Sequence, residues 1–151
     1  MLEIAKEKIN KKEIENISVQ KGDAENLLFP NNMFDVVMVA FGIRNFEDLN
    51  KGLKQIYQVL KPGGLFIILE FSKPSIFPVK QLYKFYSGFF IPFFGRIFTK
   101  NKKAYKYLPE SVNKFPEGKE LVKILEDCGF SETSFIPLSL RICSLYRGKK
   151  P

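Results

Sequence analysis

Two short apolar runs constrain this chain more than any other feature. They are Phe34-Asp35-Val36-Val37-Met38-Val39-Ala40-Phe41 and Leu65-Phe66-Ile67-Ile68-Leu69. Near-continuous apolar character over so few residues suits strands covered on both faces of a parallel sheet. Between the runs, Phe46, Leu49, Leu53, Ile56, Tyr57 and Leu60 recur at spacings of three and four, the period of a helix, with Asn45 placed to cap it. Lys61-Pro62-Gly63-Gly64 then stops that helix. Strand, helix and strand in this order predict a right-handed parallel crossover, with the Phe34 to Phe41 strand central in an α/β sheet.

The flanking segments fit the same class. Leu2, Ile4, Ala5 and Ile9 lie near one face of a helix over residues 1 to 10, and Ile17-Ser18-Val19-Gln20 reads as a short strand ending at Gly22-Asp23. Later, Glu117 to Cys128 predicts a helix with Leu121, Leu125 and Cys128 inward and Gly129 at its end. Two strands, about Thr133 to Leu138 and Arg141 to Tyr146, have a short link that suggests an antiparallel pair. A chain of 151 residues is expected to form one domain, 1–151.

Composition removes several kinds of chemistry. There is no histidine and there are only two cysteines, Cys128 and Cys143, so the common zinc sites and imidazole-based triads are set aside and no metal is expected. No apolar run is long enough to span a bilayer, and the charged start lacks a signal peptide's apolar stretch, so the expected location is cytoplasmic. The net charge of +8 has a clear address. Between Lys73 and Lys114 stand nine basic residues and a single acid, Glu110, together with eleven of the 22 aromatics. This basic aromatic insertion, 73–114, admits three readings: a membrane-surface element, a nucleic-acid contact, or a lid over an apolar pocket. Aromatics such as Phe85, Tyr86, Phe89, Tyr105 and Tyr107 suit a lid that also meets a membrane. The phenylalanines exceed what base stacking would need, and Pro92 argues for two short helical pieces.

In open α/β sheets, ligands bind beyond the carboxyl ends of the strands. Three loops lie there. Gly22-Asp23-Ala24 offers a carboxylate able to accept from an exocyclic amine such as adenine's, or simply to cap a turn. Phe41-Gly42-Ile43-Arg44-Asn45 carries a guanidinium and an amide, with Gly42 permitting a sharp turn. Arg44 could stabilise a developing phenolate or pair with a surface carboxylate. Glu70, after the second run, could orient a polar group or be a plain strand-end acid. Lys61-Pro62-Gly63-Gly64 lacks the context of a phosphate loop.

The residues 58–72, Gln58-Val59-Leu60-Lys61-Pro62-Gly63-Gly64-Leu65-Phe66-Ile67-Ile68-Leu69-Glu70-Phe71-Ser72, resemble the signature of the quinone-biosynthesis C-methyltransferases, the demethylmenaquinone and ubiquinone methyltransferase family, with Gln58 replacing the usual arginine. Phe41-Gly42-Ile43-Arg44-Asn45, Gly22-Asp23-Ala24-Glu25, the Tyr105 to Ser111 segment and Tyr146-Arg147-Gly148 resemble further family segments in order. The resemblance implies a Rossmann-like class I methyltransferase sheet and S-adenosyl-L-methionine as cofactor. It places Asp23 and Ala24 at the adenine and Ala40 on the cofactor site. The implied substrate is a reduced, prenylated naphthoquinol or benzoquinol, with menaquinol favoured, methylated at a ring carbon beside a hydroxyl. Arg44 and Asn45 are the residues expected to bind the quinol oxygen.

Family members carry, ahead of the segment matching Met1-Leu2, a first strand with a Gly-rich cofactor loop and a second strand ending in an acid. The sheet expected here is therefore incomplete, with Val36 to Phe41 an apolar edge and the Ile17 strand lacking its neighbour. The expectation is the carboxyl-terminal part of a longer methyltransferase, its edge covered by the missing amino-terminal part or by exchange in a homodimer. It would be peripheral to the inner face of the membrane where its lipid-soluble quinol lives, and would bind no nucleic acid. A competing expectation is a non-catalytic module that docks on a membrane or a partner.

Overall fold

The computed structural model describes residues 2–74, 77–78, 80–82 and 102–151, with the side chains of 102–106 outside the description. Helix α1 (Leu2–Lys11) leads through an irregular stretch to strand β1 (Phe34–Ala40), a 3-10 turn (Ile43–Asn45), helix α2 (Leu49–Val59) and strand β2 (Leu60–Phe71). Then come helices α3 (Lys102–Lys114) and α4 (Lys119–Asp127), strand β3 (Ser131–Leu138), a second 3-10 turn (Ser139–Arg141) and strand β4 (Cys143–Lys149). The sheet order is β1-β2-β4-β3. β1 and β2 run parallel, and β4 is antiparallel to both β2 and β3. The expected crossover and closing strand pair are both present.

Alternation along β2 separates its two faces. Phe66, Ile68 and Glu70 are buried, whereas Leu65, Ile67 and Leu69 are more open. Leu53 and Ile56 of α2, Leu121 and Leu125 of α4, Phe130 and Tyr146 close over Phe66 and Ile68 in one cluster. Each large side chain buried in this way contributes about 1.5–3 kcal/mol. Val37 and Val39 of β1 join the cluster's margin, while Val36 and Met38 point away and are largely exposed. No residue of α1 is buried. Among the described residues, therefore, one face of the sheet is covered.

Three expectations need correction. Phe34 to Phe41, central by its apolar run alone, is an edge among the described strands, as the incomplete sheet predicts, because β1 pairs only with β2 there. Ile17 to Gln20 is not a strand, since no neighbour offers it backbone partners and an unpaired extended segment gains no ladder. Asn45 does not cap α2. That role falls to Asp48, whose Oδ1 accepts from Lys51 N at 3.0 Å, while Asn45 belongs to the preceding 3-10 turn.

The end of α2 is satisfied from outside the helix. A helix leaves its last carbonyls without intrahelical donors. Here Gln58 O and Val59 O accept from Asn32 N and Met33 N at 3.0 and 2.8 Å. Lys150 Nζ donates to Tyr57 O at 2.9 Å, Leu60 O at 2.8 Å and Asn32 Oδ1 at 2.9 Å, and lies 4.7 Å from the centre of the Tyr57 ring. The penultimate residue thus ties the chain's end to the α2–β2 junction. Within that junction, Gly63 has φ +79, and a Cβ at Gly64 would stand 2.8 Å from Lys61 O and 3.1 Å from Asp35 O. Both glycines answer to backbone geometry.

Replacing Lys150 by Met removes three charged hydrogen bonds and leaves two carbonyls short of a donor. The expected loss is about 2 kcal/mol in urea unfolding, with the slope unchanged. An unchanged midpoint would show that the clamp is not needed.

Candidate functional site

At the carboxyl ends of β1 and β2 the chain turns through Phe41-Gly42-Ile43-Arg44-Asn45. The left-handed residue is Phe41, φ +52, and not Gly42, whose φ is −121. Several contacts hold Phe41 there. Its N–H donates to Leu69 O at 2.8 Å, its carbonyl accepts from Arg44 Nη1 at 2.7 Å, and its ring lies 4.5 Å from that of Phe71. Ile43, inside the turn, is fully buried in the core cluster.

Arg44 is thereby delivered onto Glu70. Nη1 and Oε1 are 2.7 Å apart, with 10% of the Arg44 side chain and 1% of that of Glu70 exposed. Glu70 Oε1 also accepts from Phe71 N at 2.9 Å, and Oε2 accepts from Arg44 N at 3.4 Å. The guanidinium lies 5.3 Å from the centre of the Phe71 ring. Its Nε is buried and has no hydrogen-bond partner, the one such side-chain atom among the described residues. The carboxylate that meets Arg44 is thus interior rather than at the surface, and Glu70 orients Arg44 itself.

Arg44 borders a cavity of about 390 Å³ between the first turn and α3, whose walls include Phe46, Leu49, Tyr107, Ser111 and Phe115. Tyr107 donates its hydroxyl to Asn45 Oδ1 at 2.9 Å and so fastens α3 to the turn. Arg44 and Asn45, expected together at the quinol oxygen, and Tyr107, expected in the lid, come together here. Phe85, Tyr86 and Phe89 lie outside the described residues. Tyr105 lies in α3, with its side chain outside the description.

The residues expected at a cofactor lie in the irregular segment before β1 and at the end of β1. Asp23 is exposed, and its Oδ1 accepts from Glu25 N at 2.9 Å while its carbonyl accepts from Asn26 N at 3.1 Å. It caps a turn, and a single accepted bond leaves the carboxylate free to receive an amine. Ala24 is half-buried, and Ala40 is exposed at the end of β1. Glu25 braces this loop, its Oε1 accepting from Glu47 N and Asp48 N at 2.6 and 3.1 Å.

A second cavity, of about 240 Å³, has Ser72, Lys73, Glu117 and Ser144 in its wall. Ser72 Oγ donates to Ser144 Oγ at 2.7 Å, and both serines are buried. Beside them the Tyr146 hydroxyl accepts from Gly118 N at 2.7 Å, and burial pushes its ionisation above the usual phenol range. Sequence reasoning met Ser72 and Tyr146 only in separate family-like segments and missed Ser144, which no motif surrounds, so the cluster they form was not foreseen.

The model of the ubiE/COQ5 methyltransferase family matches residues 1–150. The chain belongs to the ubiE/COQ5 methyltransferase family. It is 43% identical over 151 residues to a demethylmenaquinone methyltransferase of Bacteroides fragilis, covering 99% of this chain and 62% of that protein. It is 44% identical to a ubiquinone/menaquinone biosynthesis C-methyltransferase of Rickettsia akari, covering 99% of this chain and 61% of that one. The chain spans about three-fifths of the length of these curated relatives. Among solved structures, a SAM-dependent methyltransferase from Aquifex aeolicus aligns with TM-score 0.68 at 20% identity, over 100% of this chain and 64% of that one. A Haemonchus contortus phosphoethanolamine N-methyltransferase crystallised with S-adenosyl-L-methionine aligns with TM-score 0.69 at 16% identity, over 100% and 41%. The fold is that of a class I methyltransferase, here as a four-stranded part of the Rossmann-like sheet. No helix among the described residues is long and apolar enough to cross a membrane.

Two measurements check this geometry. Glu70→Ala leaves a buried guanidinium without its carboxylate and is expected to cost about 3–5 kcal/mol in chemical unfolding, most of it recovered in an Arg44→Met/Glu70→Leu double variant. In an ultraviolet titration Tyr146 is expected to ionise above the usual phenol range, and Tyr146→Phe to remove that step. Because its folded pKa is raised, the stability it contributes is present below about pH 10 and is lost as pH rises through the folded value. A Tyr146 that ionises at or below about pH 10 would contradict the buried hydroxyl.

Proposed function

We propose that the whole protein methylates a ring carbon of a reduced, prenylated quinol beside one of its hydroxyls, with demethylmenaquinol the preferred substrate and S-adenosyl-L-methionine the donor. Family membership supports the reaction class, and the names of the relatives support the quinol. The observation that carries the site is Arg44: a guanidinium paired with Glu70 at the carboxyl end of the parallel strands, on the wall of a cavity lined by both apolar and charged side chains.

S-adenosyl-L-methionine, when bound, supplies an electrophilic methyl group. Asp23 would accept from its adenine amine, with Ala24 and Ala40 leaving room beside it. The chain's other task is to place the quinol. Loss of a hydroxyl proton to water, a carboxylate or a tyrosine would move electron density to the neighbouring ring carbon, and a donor from Arg44 would stabilise the resulting phenolate. Asn45, held by Tyr107, would meet the same oxygen through its amide. Phe46, Leu49 and Phe115 would exclude water from the ring and position it. The open edge of β1 would seat further strands, from the same protein or from a second copy. A prenylated substrate would make the membrane surface the working place, reached through the basic aromatic insertion.

A calorimetric titration of this chain with S-adenosyl-L-methionine tests the cofactor reading, and absence of binding by the folded chain would place that site on other strands. In the complete enzyme, Arg44→Ala is expected to lower turnover about a hundredfold while leaving cofactor affinity unchanged. Weakened cofactor binding with an unchanged turnover at saturating cofactor would remove Arg44 from the quinol.

A further inference from the structure

The cavity of about 240 Å³ beyond the end of β2 has no part in the reading of Arg44, and its wall is built differently. Ser72 and Ser144 form its enclosed side, 5% and 3% exposed, with Ser72 Oγ donating to Ser144 Oγ at 2.7 Å. Next to them the Tyr146 hydroxyl accepts from Gly118 N at 2.7 Å and is hydrogen-bonded to both serines. A hydroxyl has one proton to give. Tyr146 gives its proton to Ser72, and Ser72 gives its own to Ser144. Run in that direction from Gly118 N, the chain ends in the Ser144 proton, the one hydroxyl hydrogen of the three not consumed within it. Each donor in such a chain polarises the next.

Three charged side chains share the wall, Lys73, Arg141 and Glu117, two cations to one acid. One oxygen of that acid is engaged, Glu117 Oε2 accepting from Lys73 N at 2.7 Å. Glu70, opposite Ser144 across the ladder, is paired with Arg44. The residues outside the description cannot reverse this balance, since they include lysines and an arginine but no aspartate or glutamate. Arg141 reaches the wall from a turn in which Ser139, Leu140 and Arg141, none of them glycine, have φ of 48, 56 and 67. L-residues avoid successive left-handed conformations, and strain of this kind gathers at ligand clamps. An enclosed hydroxyl donor below two cations suits an anionic oxygen, and Phe135 and Pro137 beside it suit the carbon of an ester.

We propose that this cavity binds a phosphate group, free or carried on an anionic lipid headgroup, with Ser144 as the enclosed donor and Lys73 and Arg141 as the cationic rim. The site is separate from the one assigned to the quinol and stands whether or not Arg44 meets that substrate. Lys73 is also the first residue of the basic aromatic insertion, so a phosphate held here lies where that insertion leaves the sheet.

The test is a calorimetric titration of the full chain, at fixed ionic strength, with inorganic phosphate and with dihexanoyl phosphatidylglycerol below its micellar concentration. Saturable binding of at least one is expected. Tighter binding of the glycerol diester marks a lipid headgroup as the source, and equal or tighter binding of inorganic phosphate marks the free ion. Ser144→Ala should weaken the preferred probe about tenfold. Lys73→Gln and Arg141→Gln should each weaken it about fivefold, whereas Lys54→Gln, on α2 and away from the wall, should leave it unchanged. Should Ser144→Ala fail to fold, the two rim variants and Lys54→Gln decide. No saturable binding of either probe overturns the site. So does binding that survives Ser144→Ala, or that falls as much in Lys54→Gln as in the rim variants, since attraction to the chain's net charge then accounts for it.

Discussion

Glu70 ends the buried face of β2, and the geometry of the candidate site descends from how that one carboxylate is neutralised. Bringing a carboxylate into the interior costs several kcal/mol unless a charge and hydrogen bonds meet it there. Three donors do: Arg44 Nη1, Arg44 N and Phe71 N. Two of them come from the turn after β1, so satisfying the acid fixes the path of that turn. The same pairing draws Arg44 back across Phe41 and holds Phe41 in a left-handed conformation that a bulky residue otherwise avoids. Asn45 is then left facing α3, where Tyr107 takes hold of it. One buried acid thus organises a turn, a cavity wall and the seat of a helix.

Much of this was legible in the residues. The apolar runs announced β1 and β2, and the three-and-four spacing announced α2, because burial on one side of a regular element leaves a periodic trace. Glu70 and Arg44 were both visible as polar residues at strand ends, but their partnership was not. They are 26 positions apart, and nothing local tells an acid bound for the interior from one bound for solvent. The Ile17 strand failed for a related reason: its alternation is adequate, but a strand exists only where a neighbour offers a ladder. The central placement of Phe34 to Phe41 was likewise a statement about neighbours. Val36 and Met38 are as apolar as a covered strand requires, yet they stand exposed, with β2 alone beside them among the described strands.

The signature that runs from Gln58 to Ser72 divides into two parts with different physics. Its first part works on the backbone. Leu60 leaves the helical conformation ahead of Lys61-Pro62, Gly63 takes a left-handed conformation, and Gly64 lets the β1 and β2 backbones come together at Asp35. Lys61 adds an exposed ion pair to Asp35 at 2.8 Å, which holds the Asp35 carboxyl below its usual range and is worth little in stability. Its last part, Glu70 and Ser72, lies at the opposite end of β2 and works through side chains, one on Arg44 and one on Ser144.

The apolar strand between those parts makes one depend on the other. From Val36 to Ala40, β1 stays in continuous parallel register with β2 at Leu65 to Leu69, while the register shifts between Phe34 and Val36, beside the glycines. An irregularity confined to the start of the pair lets the far end arrive in step, with Ala40 opposite Leu69 and the turn that carries Arg44 beside Glu70. A shift of one residue at the glycines would turn β1 over, exchanging Val37 and Val39 for Val36 and Met38 against the core. It would also displace Arg44 by a residue's length, more than a 2.7 Å ion pair can absorb. The glycine-rich start of the strand therefore sets the position of the guanidinium at its end, without touching it.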